Sequence, residues 1–291
     1  MLFQGALTAL VTPFKDGALD EEAYRSLIEW QIEQGIDGLV PCGTTGESPT
    51  LSHQEHIRAI TVCVEQVRGR VPVLAGAGSN NTAEAIEYTR AARKAKADGV
   101  LHITPYYNKP TQQGLLAHFA AIAREAPMPI VVYNVPGRTS VNLLPATMAA
   151  LRKQTPEVVG IKEATADLTQ VSEVIELCGP DCIVLSGDDF TTLPVLAVGG
   201  HGVISVTSNV VPALVHELCG AFRAGDTAKA RALHYAMGPL NRAMFMETNP
   251  IPIKTALALM GRIGPELRLP LVKPAPATLA AITGALKGLG L

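Results

Sequence analysis

The chain has 291 residues, of which 47% are hydrophobic and 17% charged, so it can bury a large core and has the length of one barrel domain or two smaller domains. Its formal net charge of -2 and isoelectric point near 6.4 provide no broad basic surface, which argues against nucleic acid as a partner. No apolar run approaches the roughly 20 residues that span a bilayer, and the N-terminus lacks the charged segment of a secretory signal. We therefore expect no membrane partner and a cytoplasmic location.

Eight short apolar or β-branched runs have the composition of buried strands, and they are residues 6–11, 38–41, 71–75, 100–104, 130–133, 158–162, 183–186 and 203–206. Segments with helical periodicity alternate with them, at residues 21–34, 55–67, 83–96, 115–124, 168–177 and 212–222. Two of these helices begin at predicted capping boxes, Ser52 with Glu55 and Asn81 with Glu84. Three more helices follow, at residues 226–246, 253–260 and 277–287.

Strands that alternate with helices and are apolar on both faces predict a parallel sheet covered on both sides. Eight such units indicate an α/β fold, a (β/α)8 TIM barrel over residues 1–225, followed by a helical C-terminal extension over residues 226–291. An open doubly wound sheet is the alternative, but the first strand-to-helix turn, residues 12–17, contains no GxGxxG motif. The five cysteines lie in apolar stretches without CxxC spacing, so we expect reduced, mostly buried thiols.

In such a barrel the active site lies at the carboxyl ends of the strands, and Lys162 is predicted to lie there. Alternation from Val158 points Lys162 into the barrel, with Val159 and Ile161 toward the helices. Burial lowers a lysine pKa and leaves neutral amine that can attack a ketone, which forms a Schiff base. Position alone equally allows a structural lysine paired with a buried carboxylate such as Glu163 or Asp188. Tyr133, one strand away, favours the reactive lysine because a phenol can relay protons, although it could instead be an amphipathic rim residue.

Two further groups at this end suit carboxylates. The loop at residues 43–46 presents backbone N–H groups and the hydroxyls of Thr44 and Thr45, but could equally be an ordinary turn. Arg138 can hold a second carboxylate with two hydrogen bonds, although a surface salt bridge is the alternative. His53 and His56 lack HExxH spacing and a third ligand, so no metal site is predicted. The glycines at 199, 200 and 202 could hold a phosphate or form a tight turn, and a turn is sufficient.

Several motifs in one order resemble the dihydrodipicolinate synthase family over nearly the whole chain. They are residues 43–47 (GTTGE), 104–108 (TPYYN), 133–139 (YNVPGRT), 160–164 (GIKEA), 185–189 (LSGDD), 199–206 (GGHGVISV) and 249–252 (NPIP). The resemblance implies condensation of pyruvate with L-aspartate 4-semialdehyde through a lysine Schiff base. This step begins lysine biosynthesis by the diaminopimelate route, and it uses no metal or organic cofactor.

The resemblance also implies a role for each matching residue. Lys162 is the nucleophile, and Tyr133 passes protons through Thr44 to Tyr107, which a neighbouring subunit contributes. The implied substrate-binding residues are Thr45 for the pyruvate carboxylate, Arg138 for the semialdehyde carboxylate, and Gly187 and Ile204 for main-chain contacts. The borrowed tyrosine implies at least a dimer, and the family pattern implies a homotetramer made of two dimers.

Feedback inhibition by L-lysine is implied as well. The matching regulatory positions are Ser48, His53, His56, Asn80, Glu84 and Tyr106. Glu84 would face the ammonium group of the inhibitor, while Asn80 and Tyr106 would bind its carboxylate. Pro49 departs from the small residue expected beside them, so we expect a stiffer loop and an altered strength of inhibition.

N-acetylneuraminate lyase and the 2-keto-3-deoxy sugar acid aldolases resemble the chain too, and they are the alternative enzymes. Arg138 discriminates between the two readings, because a semialdehyde that carries its own carboxylate benefits from a guanidinium. The paired Thr44 and Thr45 also favour the synthase. A catalytically idle barrel retained for ligand binding is a third reading, and the complete set of reactive residues argues against it.

Overall fold

The computed structural model describes residues 1–291. Its principal sheet consists of eight parallel strands. In chain order they are β1 (Gly5–Ala9), β2 (Gly38–Val40), β3 (Leu74–Gly76), β4 (Gly99–Ile103), β5 (Ile130–Asn134), β6 (Val158–Glu163), β7 (Ile183–Ser186) and β8 (Gly202–Ser205). All eight predicted strands are thus confirmed, with ends that shift by up to three residues. A short hairpin of Phe14–Lys15 and Ala18–Leu19 was not predicted.

The eight strands close into a barrel. Each strand pairs with its chain neighbour, and β1 pairs with β8 from Gly5 opposite Gly202 to Thr8 opposite Ser205. The seam between β2 and β3 is held by a parallel bridge of Leu39 with Val73 and by a 2.8 Å bond from Gly76 N to Pro41 O. The closed barrel is therefore confirmed, and the open-sheet alternative is wrong.

The helices surround the barrel as predicted, because each has an apolar face toward the strands. They are α1 (Glu21–Glu33), α2 (His53–Val67), α3 (Thr82–Ala95), α4 (Gln112–Glu125), α5 (Pro136–Thr139), α6 (Pro145–Gln154), α7 (Leu168–Cys178), α8 (Thr192–Ala197) and α9 (Pro212–Arg223). Three of these, α5, α6 and α8, were not predicted. Two of them span only four and six residues, too short to show a periodicity.

Three helices follow the barrel, α10 (Thr227–Met244), α11 (Ile251–Leu259) and α12 (Pro276–Gly288). α10 packs against α9, and α12 packs against both α10 and α11. The helical extension is confirmed, while the division of the chain at residue 225 stays a prediction. None of the helices combines the length and apolar character needed to cross a bilayer.

The apolar core has two layers because strand residues alternate between the two faces of the sheet. Sixty buried residues, mostly between strands and helices, form the outer layer. Twelve buried residues form an inner layer inside the barrel, and they include Leu74, Leu101, Val131 and Leu185. This inner layer fills the barrel interior below the carboxyl ends of the strands. A ligand can therefore enter the barrel only at that end.

One predicted alternation is wrong in detail. The pairing of β5 with β6 shifts between Ile130 and Val131, whose partners are Val158 and Gly160. The extra residue is Val159, which packs against the inner layer, while Val158 belongs to the outer one. Such a bulge reverses the facing of the residues before it, but Gly160 onward keeps the predicted direction and Lys162 points inward.

The two capping predictions have different outcomes. At α2, Ser52 and Glu55 make both bonds of a capping box, at 2.9 and 3.2 Å. At α3, Asn81 accepts from Ala83 N at 3.0 Å, but Glu84 does not bond back to it. The Glu84 carboxylate instead accepts from the Ser79 hydroxyl at 2.5 Å, so the second capping box is wrong. All five cysteines are free, and only Cys178 is not fully buried.

Candidate active site

A cavity of about 420 Å³ opens at the carboxyl ends of the strands. Six of the predicted catalytic and substrate-binding residues line it together: Thr44, Thr45, Tyr133, Arg138, Lys162 and Gly187. Ile204 is fully buried in the inner core layer and is not part of the cavity wall. Tyr107 also lies outside the wall. The structure thus brings most, but not all, of the predicted residues to one place.

Lys162 is the only lysine of the cavity wall. Its side chain is 6% exposed, and its Nζ lies 4.2 Å from the centre of the Tyr133 ring. Lys162 forms no ion pair with Glu163, Asp188 or any other carboxylate. The alternative of a structural lysine in a buried ion pair is therefore not supported. Burial lowers the pKa of Lys162 to about 7, with Arg138 acting in the same direction and Asp189 against it. A large fraction of the amine is therefore neutral near pH 7 and can act as a nucleophile.

Tyr133 lies directly opposite Lys162 in the pairing of β5 with β6. It is 7% exposed, and burial raises the pKa of its phenol, while Arg138 and Thr44 act in the opposite direction. The phenol thus keeps its proton at neutral pH and can donate it to a substrate oxygen. A neutral amine beside a protonated phenol is the arrangement that Schiff-base formation needs.

Glu163 follows Lys162 in the chain and points the opposite way, toward the helices. Its carboxylate accepts hydrogen bonds from Asn134 Nδ2 and Gln170 Nε2, both at 3.0 Å, and from Thr165 N at 2.9 Å. Asn134 and Glu163 are themselves paired across β5 and β6. This bond fixes the register one residue beyond Tyr133 and Lys162. This role was not predicted from the sequence. The available signal was that Asn134 and Glu163, both polar, directly follow Tyr133 and Lys162 in otherwise apolar strands.

The loop after β2 is held from the C-terminal extension. Asn249 Nδ2 donates to Thr45 Oγ1 at 2.9 Å. Glu47 accepts from Lys254 Nζ at 2.5 Å and from Arg268 N at 3.1 Å. Lys254 and Glu47 are almost completely inaccessible to solvent, so their charges depend on each other. No pattern in the sequence indicated these contacts, which join residues about 200 positions apart.

Arg138 lies on α5 at the edge of the cavity, and it is solvent-exposed. It forms no salt bridge, contrary to the surface-pair alternative. Its Nη2 donates to the main-chain oxygen of Asn249 at 3.4 Å. The remaining guanidinium donors are free for a ligand carboxylate.

Four of the predicted regulatory residues line a second cavity of about 430 Å³, Ser48, His56, Glu84 and Tyr106. His53 and Asn80 are not in its wall. His53 lies 3.3 Å from Glu87, and Asn80 Nδ2 donates to Tyr106 O at 3.1 Å. His56 is fixed by a 2.7 Å bond between its Nε2 and Gly76 O, and its ring stacks on that of Tyr88.

The two cavities share part of their walls, including Gly43, Thr44, Tyr133 and Arg138. A ligand in the second cavity would therefore contact residues of the first. Pro49 lines the second cavity only, and it lies near the first position of a short 3₁₀ helix, Ser48–Thr50. The fixed φ of proline suits that position, so Pro49 stiffens this loop.

Tyr107 is 89% exposed and has a positive φ of 69°. It lines neither cavity of its own chain. A tyrosine held in this strained conformation and pointed into solvent is available to a second subunit. Its part in the proton relay stays a prediction.

Two further alternatives concern metal and phosphate. No group of three or more potential ligands is arranged to hold a metal. The glycines before β8 lie at the opposite end of the barrel from the cavity. A Cβ at Gly202 would come 2.0 Å from Gly5 O, so close strand packing explains this glycine and the phosphate reading has no support.

Comparisons with known proteins agree with this geometry. Residues 2–287 match the model of the Dihydrodipicolinate synthetase family. A 4-hydroxy-tetrahydrodipicolinate synthase of Nitratidesulfovibrio vulgaris (strain DSM 19637 / Miyazaki F) is 66% identical, with 100% of both chains covered. Among solved structures, lysine-bound dihydrodipicolinate synthase from Cyanidioschyzon merolae has a TM-score of 0.96 at 40% identity, covering 100% of this chain and 99% of that one.

The chloride-inhibited enzyme from Acinetobacter baumannii, complexed with pyruvate, also has a TM-score of 0.96, at 43% identity over 99% of both chains. These likenesses extend over the barrel and the helical extension alike. The chain belongs to the dihydrodipicolinate synthetase family.

Proposed function

We propose that the chain condenses pyruvate with L-aspartate 4-semialdehyde to give 4-hydroxy-tetrahydrodipicolinate, the activity by which its relatives are named. One observation carries the chemistry, the buried and unpaired amine of Lys162 beside the Tyr133 phenol. Arg138, free of any carboxylate partner, favours an acceptor that brings its own carboxylate. N-acetylneuraminate lyase and sugar acid aldolase activity are not favoured, because the relatives over the full chain are synthases.

In the proposed first step the neutral Lys162 amine attacks the keto carbon of pyruvate. The keto oxygen takes one proton from the attacking amine and one from Tyr133 and leaves as water, which gives the protonated Schiff base. Thr44 and the Tyr107 of a second subunit return protons to Tyr133 in this proposal. Thr45 and its loop hold the pyruvate carboxylate, with a main-chain contact from Gly187 in the cavity wall. The contact of Ile204, which lies behind that wall, rests on the family resemblance alone.

The second step forms the carbon–carbon bond. A methyl proton passes to the relay that includes Tyr133, which turns the Schiff base into an enamine. The enamine carbon attacks the aldehyde of the semialdehyde, and the aldehyde oxygen takes a proton back from that relay. Arg138 binds the carboxylate of that substrate and so orients the aldehyde. The substrate's own amino group then adds to the imine carbon and displaces Lys162, which closes the ring and frees the enzyme.

We further propose a homotetramer built from two dimers, with Tyr107 exchanged between the subunits of a dimer. L-Lysine is the proposed inhibitor, bound by the residues of the second cavity together with His53 and Asn80. The shared wall at Thr44 and Tyr133 gives a route by which a bound inhibitor alters proton transfer. A cytoplasmic location suits the free, mostly buried cysteines.

The test is reductive trapping with pyruvate, followed by peptide mass spectrometry. We expect one pyruvyl adduct, on Lys162, and none in the Lys162→Met variant. An adduct on another lysine, or none at all, would refute the mechanism and favour an idle barrel. A coupled assay that offers L-aspartate 4-semialdehyde and, separately, N-acetylmannosamine then identifies the acceptor.

A further inference from the structure

Two cysteines come together at a short turn before β7. Cys178 is the last residue of α7, and Cys182 directly precedes β7. The chain reverses between them, because Cys182 N donates to Gly179 O at 3.1 Å and Gly179 has a positive φ of 78°. The reversal brings the two thiols into hydrogen-bonding contact. A single covalent bond can therefore join them.

The two thiols differ in their access to solvent. Cys178 is only partly buried, whereas Cys182 is 1% exposed. The Cys182 sulfur also lies 3.9 Å from Ile183 O, which is long for a hydrogen bond. A reagent in solution therefore meets Cys178 first and reaches Cys182 only through it.

The guanidinium of Arg152 lies beside this turn. Its Nη1 donates to Cys178 O at 2.7 Å and its Nη2 to Asp181 O at 3.4 Å, and it also forms a hydrogen bond with the Cys182 sulfur. Arg152 forms no salt bridge, so no carboxylate neutralises its charge. A cation beside a partly exposed thiol is the environment in which cysteines become reactive.

These contacts make the two cysteines unequal in acidity. The hydrogen bond from Cys182 lowers the pKa of the Cys178 thiol, and Arg152 acts in the same direction against burial. The pKa of Cys182 is raised, because it donates that hydrogen bond and is buried. The C-terminus of a helix disfavours an anion, and the bond from Arg152 to Cys178 O offsets this effect. Cys178 is therefore the nucleophile of the pair.

We propose that Cys178 and Cys182 form a reversible dithiol–disulfide pair, a redox modification site at the amino end of β7. The active-site cavity lies at the opposite end of the barrel, so this inference is independent of the chemistry proposed for Lys162. Cys178 is the residue that meets the oxidant, and Cys182 is the residue that resolves the product.

With hydrogen peroxide as the oxidant, the Cys178 thiolate attacks one peroxide oxygen and the O–O bond breaks. Cys178 becomes a sulfenic acid, and the hydroxide that leaves takes up the proton lost by the thiol and becomes water. The Cys182 sulfur then attacks the Cys178 sulfur, and the departing hydroxide takes the Cys182 proton and leaves as a second water. The two sulfurs lose two electrons, which peroxide gains. The disulfide protects Cys178 from irreversible oxidation to a sulfinic acid.

The test counts thiols after the folded, reduced protein has been exposed to hydrogen peroxide. Samples are quenched, unfolded and alkylated with N-ethylmaleimide, and intact mass and peptide fragmentation then locate the modified residues. We expect two of the five cysteines to become unreactive through a bond between Cys178 and Cys182, and dithiothreitol to restore both. Cys42, Cys63 and Cys219 are internal controls, because they are buried and should stay reduced.

Two variants separate the two roles. Cys182→Ser removes the resolving thiol, so Cys178 should gain two or three oxygen atoms that dithiothreitol does not remove. Cys178→Ser removes the thiol that meets the oxidant, so every remaining cysteine should stay reduced. Circular dichroism shows that each variant is folded.

Arg152→Gln tests the contribution of the cation, and Lys153→Gln is the matched control, because Lys153 is an exposed cation at the next position of the same helix. In the reduced protein at pH 7, Arg152→Gln should slow the alkylation of Cys178 about three- to tenfold, since fewer molecules hold the thiolate. Lys153→Gln should change that rate by less than about twofold.

Five reactive thiols after peroxide treatment would overturn the inference. So would a disulfide that joins any other cysteines or two separate chains. Irreversible oxidation of Cys178 in the unmodified protein, to the same extent as in Cys182→Ser, would also overturn it, because Cys182 would then not resolve the sulfenic acid.

Discussion

The pH dependence of adduct formation tests the state of the Lys162 amine directly. With a pKa of about 7, the neutral fraction rises as pH rises, from ~0.1 at pH 6 to ~0.9 at pH 8. A lysine at its ordinary pKa of 10.5 would be neutral in only ~0.1% of molecules at pH 7.5, and Lys162 in about three quarters. Burial therefore increases the reactive form several hundred-fold, and the rate of pyruvate capture should rise about 10-fold between pH 6 and 8.

The assay is single-turnover trapping with sodium cyanoborohydride at low pyruvate concentration, quenched at intervals and counted by intact mass. We expect a midpoint near pH 7. Arg138 also lowers the pKa of Lys162, so Arg138→Leu should move the midpoint upward. A midpoint above about pH 9 in the unmodified enzyme would refute the reasoning, because it would mean that the ammonium remains hydrated in the cavity.

Four further outcomes follow from the same contacts. Lys162→Met should raise the free energy of unfolding by on the order of 3 kcal/mol at neutral pH in urea titrations, and this gain should shrink as pH rises toward 10, where the unfolded lysine also loses its proton. Lys254→Met leaves Glu47 buried without its cation and should lower that free energy by about 3–5 kcal/mol, with part of the loss recovered when Glu47→Gln is added. Tyr107→Phe should lower kcat in the coupled assay while trapping of pyruvate persists; full activity would remove Tyr107 from the relay. Millimolar L-lysine should slow turnover, and Glu84→Ala should abolish the effect; unchanged rates with L-lysine would reject the regulatory site.

The fold could be predicted because its signals are local. A strand buried on both faces can be recognised as a short apolar run. The start of α2 can be recognised from Ser52 and Glu55, which lie within four residues of each other. The predictions were wrong where a residue distant from the local pattern provides a different contact. At α3 the Ser79 hydroxyl takes the Glu84 carboxylate, and in β6 the extra residue Val159 is set by pairing with β5 rather than by its own composition.

The site could be predicted only in part, for the same reason. Lys162 and Tyr133 stand at strand ends, where alternation decides their direction. The contacts of Thr45 with Asn249 and of Glu47 with Lys254 depend on how α11 packs against the barrel. Nothing in the sequence around residue 47 indicates a cation about 200 positions later, and only the three-dimensional packing reveals it.

The buried pair of Glu47 and Lys254 also bears on how the enzyme is made. A ribosome completes all eight strands, and with them Lys162, before it adds residue 254. Until α11 has been synthesised and has packed against the barrel, the Glu47 carboxylate lacks the Lys254 cation. The loop after β2 then also lacks the contact from Asn249 that holds it. A nascent or prematurely ended chain therefore contains Lys162 but lacks the contacts that hold the loop beside the cavity, so the complete site requires the C-terminal extension as well as the barrel.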